Sequence, residues 1–273
     1  MAESRTGLKL EDSVAVTVFA FSCHPDDIEF MMGGTLFLLL EAGCTLHYMN
    51  LANGSCGSMD LPPDQIAARR RQEAMAAAAL LGSVYHESLV GDLEVFYTPE
   101  LIRRVTAVMR DVRPEILLLP SPEDYMEDHM NTSRIGVTSA FCRGVPNFTT
   151  EPPRPPTLQD VVLYHALPYG LVDGLRRRIE PELYVDITAS IDRKEAMLAC
   201  HQSQKEWLDS SQGLDSYLAA MRDMSAEVGR WSGKFRYAEG WRRHSHLGFS
   251  TRETDPLAGL LGKKILTAPG TSS

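Results

Sequence analysis

The chain has no Cys-x-x-Cys pair, no basic surplus, no glycine-rich nucleotide fingerprint and no long apolar run. Each absence removes a class of function. Its five cysteines (Cys23, Cys44, Cys56, Cys142 and Cys200) are odd in number and irregular in spacing. That excludes a disulfide framework and reads as reduced thiols in a cytoplasmic protein. Acidic residues outnumber basic ones 36 to 27, for a formal charge of −9, so a nucleic-acid or anionic-membrane partner is not expected. The apolar stretch Phe30 to Leu40 is too short for a membrane span and is broken by Gly33 and Gly34. Met1 to Glu11 carries no apolar h-region of a secretory signal. No G-x-x-x-x-G-K-S/T occurs and no G-x-G-x-x-G follows a strand, so nucleotide binding is rejected.

What is present is an alternation of strand and helix signals. Val14–Ser22 is apolar and β-branched, as a buried parallel strand requires. Further strands are expected over Thr45–Leu51, Val84–Leu89, Ile116–Leu119, Val161–Ala166 and Tyr184–Ile187. Helices are expected over Thr35–Ala42, Pro63–Leu81, Pro99–Val112, about Asn131–Cys142, Ala189–Gln204 and Gly213–Arg230. This order predicts an α/β fold: a Rossmann-like, mostly parallel twisted sheet with helices on both faces. The proline-rich stretch Thr149–Thr157 reads as a surface loop inside a single domain covering residues 1–250. Residues 251–273 read as a polar, partly disordered tail.

The chemistry-bearing residues follow the strands. His24-Pro25-Asp26-Asp27-Ile28-Glu29 comes after the first, Asn53–Ser58 after the second, Gly91-Asp92 after the third and Ser121–His129 after the fourth. Open parallel sheets bind ligands beyond the carboxyl ends of their strands, so these loops are expected to share one rim. His24, Asp27 and His129 form a His-Asp-His set suited to a catalytic metal. Asp26 is then left free beside it as a general base for metal-activated water. The competing reading is that His24 and Asp27 only cap the following helix. Arg70 is either a substrate ligand or an exposed helix arginine paired with Glu73. His201 is either a substrate or proton-transfer group or a helix histidine bonded to Asp186 or a backbone carbonyl. Asp128 reads as an orienting neighbour of the metal set.

Several segments together resemble the PIG-L/LmbE-like zinc-dependent N-acetylglucosaminyl deacetylases. They are His24-Pro25-Asp26-Asp27 with Gly33-Gly34-Thr35, the glycine loop Asn53–Ser58, and Arg70-Arg71-Gln72-Glu73 closing on Leu81-Gly82. To these are added Asp128-His129, then Asp186-Ile187-Thr188 with Lys194 and His201-Gln202-Ser203-Gln204, and Tyr237-Ala238-Glu239-Gly240-Trp241. The resemblance implies a hydrolase that removes the N-acetyl group of an N-acetylglucosamine-type amino sugar or its conjugate. It implies zinc on His24, Asp27 and His129, Asp26 as base, Arg70 and Asp92 at the substrate, and Tyr237 at the oxyanion. It also implies a homo-oligomer, trimer or hexamer. One departure stands out. The family's second metal motif usually reads His-Pro-Asp-His, and here Met126 replaces the first His, a proposed general acid. The leaving amine must then take its proton from Asp26, His201 or the His244/His246 pair. The departure also leaves open a metal-binding sensor without turnover, and the substrate range leaves open an amidase for a larger acyl conjugate.

Overall fold

Val18 and Ala20 alternate with Phe19 and Phe21, and all four are buried, each pair in a different core cluster. Such a run is stable only as a strand covered on both faces. In the computed structural model, which describes residues 15–206 and 216–269, it forms β1 (Thr17–Ser22) near the middle of an eight-stranded sheet. There follow α1 (Asp27–Glu41), β2 (Thr45–Asn50), α2 (Pro63–Leu80), β3 (Val84–His86), α3 (Pro99–Val112), β4 (Ile116–Leu119), α4 (Glu127–Cys142) and β5 (Val162–Ala166). The second half contributes β6 (Leu183–Asp186), α5 (Ile191–Leu198), α6 (Ser216–Ser232), β7 (Ala238–Arg243), α7 (Pro256–Leu261) and β8 (Ile265–Thr267). No described helix is long and apolar enough to cross a membrane.

The strand order is β3-β2-β1-β4-β5-β7-β6-β8. The first five strands are parallel, with Ser22 opposite Asn50 at the carboxyl end of β1. The last three join through antiparallel pairs, β5 to β7, β7 to β6 and β6 to β8. The sheet is therefore mixed, with helices on both faces. Residues of α1, α2 and α5 pack on the face that carries Val18 and Ala20, and residues of α3 and α4 on the face that carries Phe19 and Phe21.

Two helices begin earlier than their sequence suggests, and both shifts matter for the site. α1 starts at Asp27 rather than Thr35, with Asp27 and Glu29 in its first turn, where carboxylates suit the helix dipole. Gly33 and Gly34 do not break it. α4 starts at Glu127 rather than Asn131, so Asp128 and His129 sit on its rigid first turn. The expected polar tail from Thr251 is corrected: Pro256–Leu261 is helical, capped by Asp255 accepting from the Ala258 N–H at 3.0 Å, and Ile265–Thr267 adds β8 to the sheet. Burial of Leu257 and Leu261 supplies the reason. Residues 270–273 lie outside the described residues, as does the start of the helix expected from Gly213.

The two halves of the chain are locked by Glu239 on β7. Its carboxylate accepts from the Gly34 and Thr35 N–H groups at 2.8 and 2.7 Å and pairs with Lys194 Nζ at 2.7 Å. A side chain at position 34 would stand 2.6 Å from Ile187 Cγ2 and 3.0 Å from Glu239 Oε1, so this close approach requires glycine. Lys194 and Glu239 are both almost fully buried. Removing one partner leaves an uncompensated charge in the interior, so Glu239→Ala is expected to cost about 3–5 kcal/mol of stability, measured by denaturant unfolding. A loss below about 1 kcal/mol, the range of an exposed pair, would show that the lock is dispensable.

Candidate active site

β1 lies between β2 and β4, and the chain leaves β1 into α1 on one face and β4 into α4 on the other. This is a topological switch point, where α/β sheets open a crevice. A cavity of about 500 Å³ occupies it. Loops after β1, β2 and β4 line it, together with Asp92 and Leu93, as the topology predicts. Two further contributors were not foreseen: the turn after β5, with Leu167, Pro168 and Tyr169, and Tyr217 from α6.

His24, Asp27 and His129 meet at the floor of this cavity. His24 Nδ1 and His129 Nε2 are 3.3 Å apart, His129 Nε2 is 3.6 Å from Asp27 Oδ1, and His24 Nδ1 is 3.8 Å from Asp27 Oδ2. Donors bonded to one tetrahedral ion at about 2.0–2.1 Å stand roughly 3.3 Å from one another. The outer nitrogens are also held. Asp128 Oδ2 lies 3.2 Å from His24 Nε2, and Asp124 Oδ2 lies 3.2 Å from His129 Nδ1. Carboxylates behind both imidazoles fix ring orientation and leave one nitrogen of each for a metal. Asp128 is itself anchored by the Leu93 N–H at 2.7 Å. Asp124 was not singled out in the sequence, although its loop was. The donor set fits a divalent cation.

The charges agree. Burial alone would lower the pKa of His129, but Asp27 and Asp124 beside it raise it to about 9. Burial would raise Asp27, yet His129, His24 and the His24 N–H hold it below the usual carboxylate range. Without a cation, the site recruits a proton. Cys23, His24 and Asp27 also bring donor atoms within 4.8 Å of one another. Cys23 Sγ, however, meets His24 Nε2, at 3.7 Å, the nitrogen Asp128 already engages. Burial and Asp27 push its thiol pKa well up, so it is a poor thiolate ligand.

Asp26 adjoins this set in a strained conformation, with φ +120°, a region where residues other than glycine are rare and which marks functional sites. The Tyr217 hydroxyl donates to its Oδ2 at 2.7 Å, and Arg70 Nη2 lies 3.4 Å from its Oδ1. Burial raises the Asp26 pKa, with Asp27 adding to the rise; Arg70, His201 and Tyr217 act against it. Arg70 is buried and also donates to the Pro25 carbonyl. It does not pair with Glu73, which instead meets Arg69 and accepts from Ser203. The glycine loop wraps Arg70: a side chain at Gly54 or Gly57 would come within 2.5 Å of the Arg70 side chain. Asp92 holds that loop by accepting from the Gly54 and Cys56 N–H groups at 2.6 and 3.0 Å. Its carboxylate thus shapes the wall of the cavity, and Asp92 is among the residues that line it.

Other expected residues are not brought together. Tyr237 does not line the cavity; the Arg236 guanidinium lies over its ring and its side chain meets Arg222. Placement at the head of β7 turns it toward α6 rather than the metal set. His201 is fully buried behind the site, 3.1 Å from Glu29 Oε1, and does not line the cavity. Its partner is Glu29, which also accepts from Tyr48 at 2.8 Å, rather than Asp186 or a carbonyl. His244 pairs with His165 at 3.1 Å, and His246 faces Glu253 at 4.0 Å. Met126 does line the cavity.

A sequence profile of the PIG-L family, described as GlcNAc-PI de-N-acetylase, matches residues 19–140. The diacetylchitobiose deacetylase of Thermococcus kodakarensis is 30% identical over 235 residues, covering 82% of each chain. The chain belongs to the PIG-L family. Within the same similarity range, the 4-oxalmesaconate hydratase of Pseudomonas putida is 26% identical over 192 residues, 67% of this chain and 72% of the hydratase. Among solved structures, N,N'-diacetylchitobiose deacetylase from Pyrococcus horikoshii, in complex with its inhibitor MPG, aligns with a TM-score of 0.70 and 25% identity over 88% of both chains. The PIG-L match spans β1 to α4, and so includes His24, Asp26, Asp27 and His129.

A metal at this PIG-L site must displace the proton that His129 holds. That proton is present below a pKa of about 9 and absent above it. Divalent metal binding near pH 7 is therefore expected to release about one proton per chain. Calorimetry in buffers of different ionisation enthalpy measures this release, which should fall away above pH 9. No release near neutrality would remove His129 from the ligand set.

Proposed function

We propose that this PIG-L chain is a zinc-dependent amidohydrolase that removes the N-acetyl group from an N-acetylglucosamine-type amino sugar or its conjugate. The observation that carries this reading is the convergence of His24, Asp27 and His129, 3.3–3.8 Å apart, beside an Asp26 that is not among the donors. Nitrogen and carboxylate donors suit zinc. The ion, when bound, supplies Lewis-acid polarisation of the amide carbonyl and lowers the pKa of water. The chain's own residues do the rest. Ionised Asp26 accepts the proton of the attacking water, and burial, which raises its pKa, makes it a better proton acceptor than an exposed carboxylate. Tyr217 and Arg70 fix its carboxylate from two sides.

The same carboxyl then returns the proton to the departing amine nitrogen. Met126 has no proton to give, and His201, His244 and His246 do not line the cavity. Asp26 thus serves as base and acid in turn. A hydratase reading, suggested by the Pseudomonas relative, finds less support for an anionic substrate. Arg70 is the one Arg or Lys among the described cavity residues, against Asp26, Asp27, Asp92 and Asp124.

Asp26→Asn is expected to retain the metal while lowering kcat on N-acetylated amino sugars by about 10²–10⁴-fold. Metal content by elemental analysis and amine release check both halves; wild-type turnover would overturn the base assignment. Wild-type protein that binds such a sugar at all pH values without releasing amine would instead be a sensor. Tyr217→Phe removes a hydrogen bond that lowers the Asp26 pKa. Because the ionised form is the base, activity rises with pH through that pKa. The acid limb of kcat/KM should therefore move to higher pH in Tyr217→Phe, and an unmoved limb would detach Tyr217 from Asp26.

A further inference from the structure

Three large apolar side chains at the cavity mouth are left to water: Leu93 is 62% exposed, Tyr125 59% and Tyr169 43%. Leu93 is unfavourable twice over. Its φ of +62° lies in the left-handed region, where glycine, asparagine or aspartate would be more stable than a branched apolar residue. The bond that holds it there is made by its backbone N–H to Asp128, so any residue other than proline would make it. Folding does not explain a leucine at this position. A ligand that covers it does.

The rings continue this apolar lining. Tyr217 meets Phe30 at 5.9 Å between centroids, Phe30 meets Tyr169 at 5.2 Å, Tyr169 meets Tyr125 at 6.2 Å, and Tyr125 meets His129 edge-on at 5.8 Å. One arc of aromatic rings thus runs from the tyrosine bonded to Asp26 round to a candidate metal ligand. Met31, Met126 and Leu167 line the same cavity. None of these three can hydrogen-bond a sugar hydroxyl strongly; on the arc only the Tyr125 and Tyr169 hydroxyls could, while Asp26, Asp27 and Arg70 gather around the metal set. A second sugar ring laid against Leu93, Met31, Met126 and Leu167 would bury hydroxyls with few partners, at a cost. An alkyl or aryl group would gain by the same burial.

We propose that the substrate carries an apolar group, as aglycone or as acyl chain, which lies against Leu93 and the Tyr169–Phe30 arc. The inference rests on the de-N-acylase reading for the polar end of the substrate, and its test is read by binding rather than turnover. Calorimetry on the metal-loaded, full-length protein compares glucosamine, its β-1,4-linked disaccharide and octyl 2-amino-2-deoxy-β-glucoside. N-octanoylglucosamine is compared with N-acetylglucosamine on Asp26→Asn protein, which blocks hydrolysis.

At least one octyl-bearing probe should bind about 30-fold or more tightly than its short counterpart, since each methylene covered is worth roughly fourfold. Which probe gains locates the group on the aglycone or the acyl side. Leu93→Asn, which relieves the backbone, and Tyr169→Ala should each cut the preference by about tenfold, while Tyr169→Phe keeps it. The proposal is overturned if neither octyl probe gains, if the disaccharide binds as tightly as the octyl glucoside, or if both variants leave the preference intact. Absence of amine release from every amide probe on wild-type protein would count against the deacetylase reading alone.

Discussion

A single carboxylate, that of Asp27, ties the fold of the crevice to its chemistry. Its Oδ2 accepts from the Ser22 hydroxyl and from the Cys23 and His24 N–H groups at 3.3, 3.2 and 2.7 Å. These bonds close the turn that joins the central strand to α1. Its Oδ1 faces His129 on the far side of the switch point. The same turn aims the Pro25 carbonyl at Arg70 and forces Asp26 to φ +120°. Strain of that kind persists only where neighbours over-determine it, and here several bonds to one carboxyl group do so.

From this turn outward the site is built of negative charge. Asp27, Asp124 and Asp128 stand 3.2–3.8 Å from two imidazoles, and Asp26 stands in the same turn as Asp27, beside Arg70. Such a cluster is stable only with cations inside it, which explains why Arg70 is buried and why His129 holds a proton to about pH 9. A metal would be held by His24, Asp27 and His129 in place of that proton, and Asp124 and Asp128 already orient the outer imidazole nitrogens. Precision of this sort comes from placing ligands on rigid elements: Asp27 opens α1 and His129 lies in the first turn of α4.

The parts of this design that were legible in the chain are those whose signal is local. The run from Thr17 to Ser22, the His-Pro-Asp-Asp turn and Asp128-His129 carry their meaning within a few residues. What escaped depends on distant pairing. β7 is inserted between β5 and β6, and its segment Ala238-Glu239-Gly240-Trp241-Arg242-Arg243 lacks the continuous apolar character of a buried parallel strand. The family resemblance alone puts Tyr237 at the oxyanion, whereas the tyrosine that reaches Asp26 is Tyr217, 191 residues away in sequence. The start of α1 was hidden because the helix is buried along most of its length, with Glu29 inside against Tyr48 and His201. Such a helix shows no amphipathic period.

Met126 links the polar and apolar ends of the cavity. It stands at the N-terminal boundary of α4, three residues before His129, and lines the cavity next to Tyr125. A histidine there would add a second titratable group to the metal set; methionine removes it and gives the wall a flexible apolar surface instead. The exchange is chemically coherent only if one carboxyl can both take and return the proton. Asp26 meets that condition: burial holds its pKa above the usual carboxylate range, while Arg70 and the Tyr217 hydroxyl keep the ionised form accessible. On the proposed reading, one residue both withholds an acid and adds an apolar wall, and the first of these leaves proton transfer to Asp26, on the turn that Asp27 holds closed.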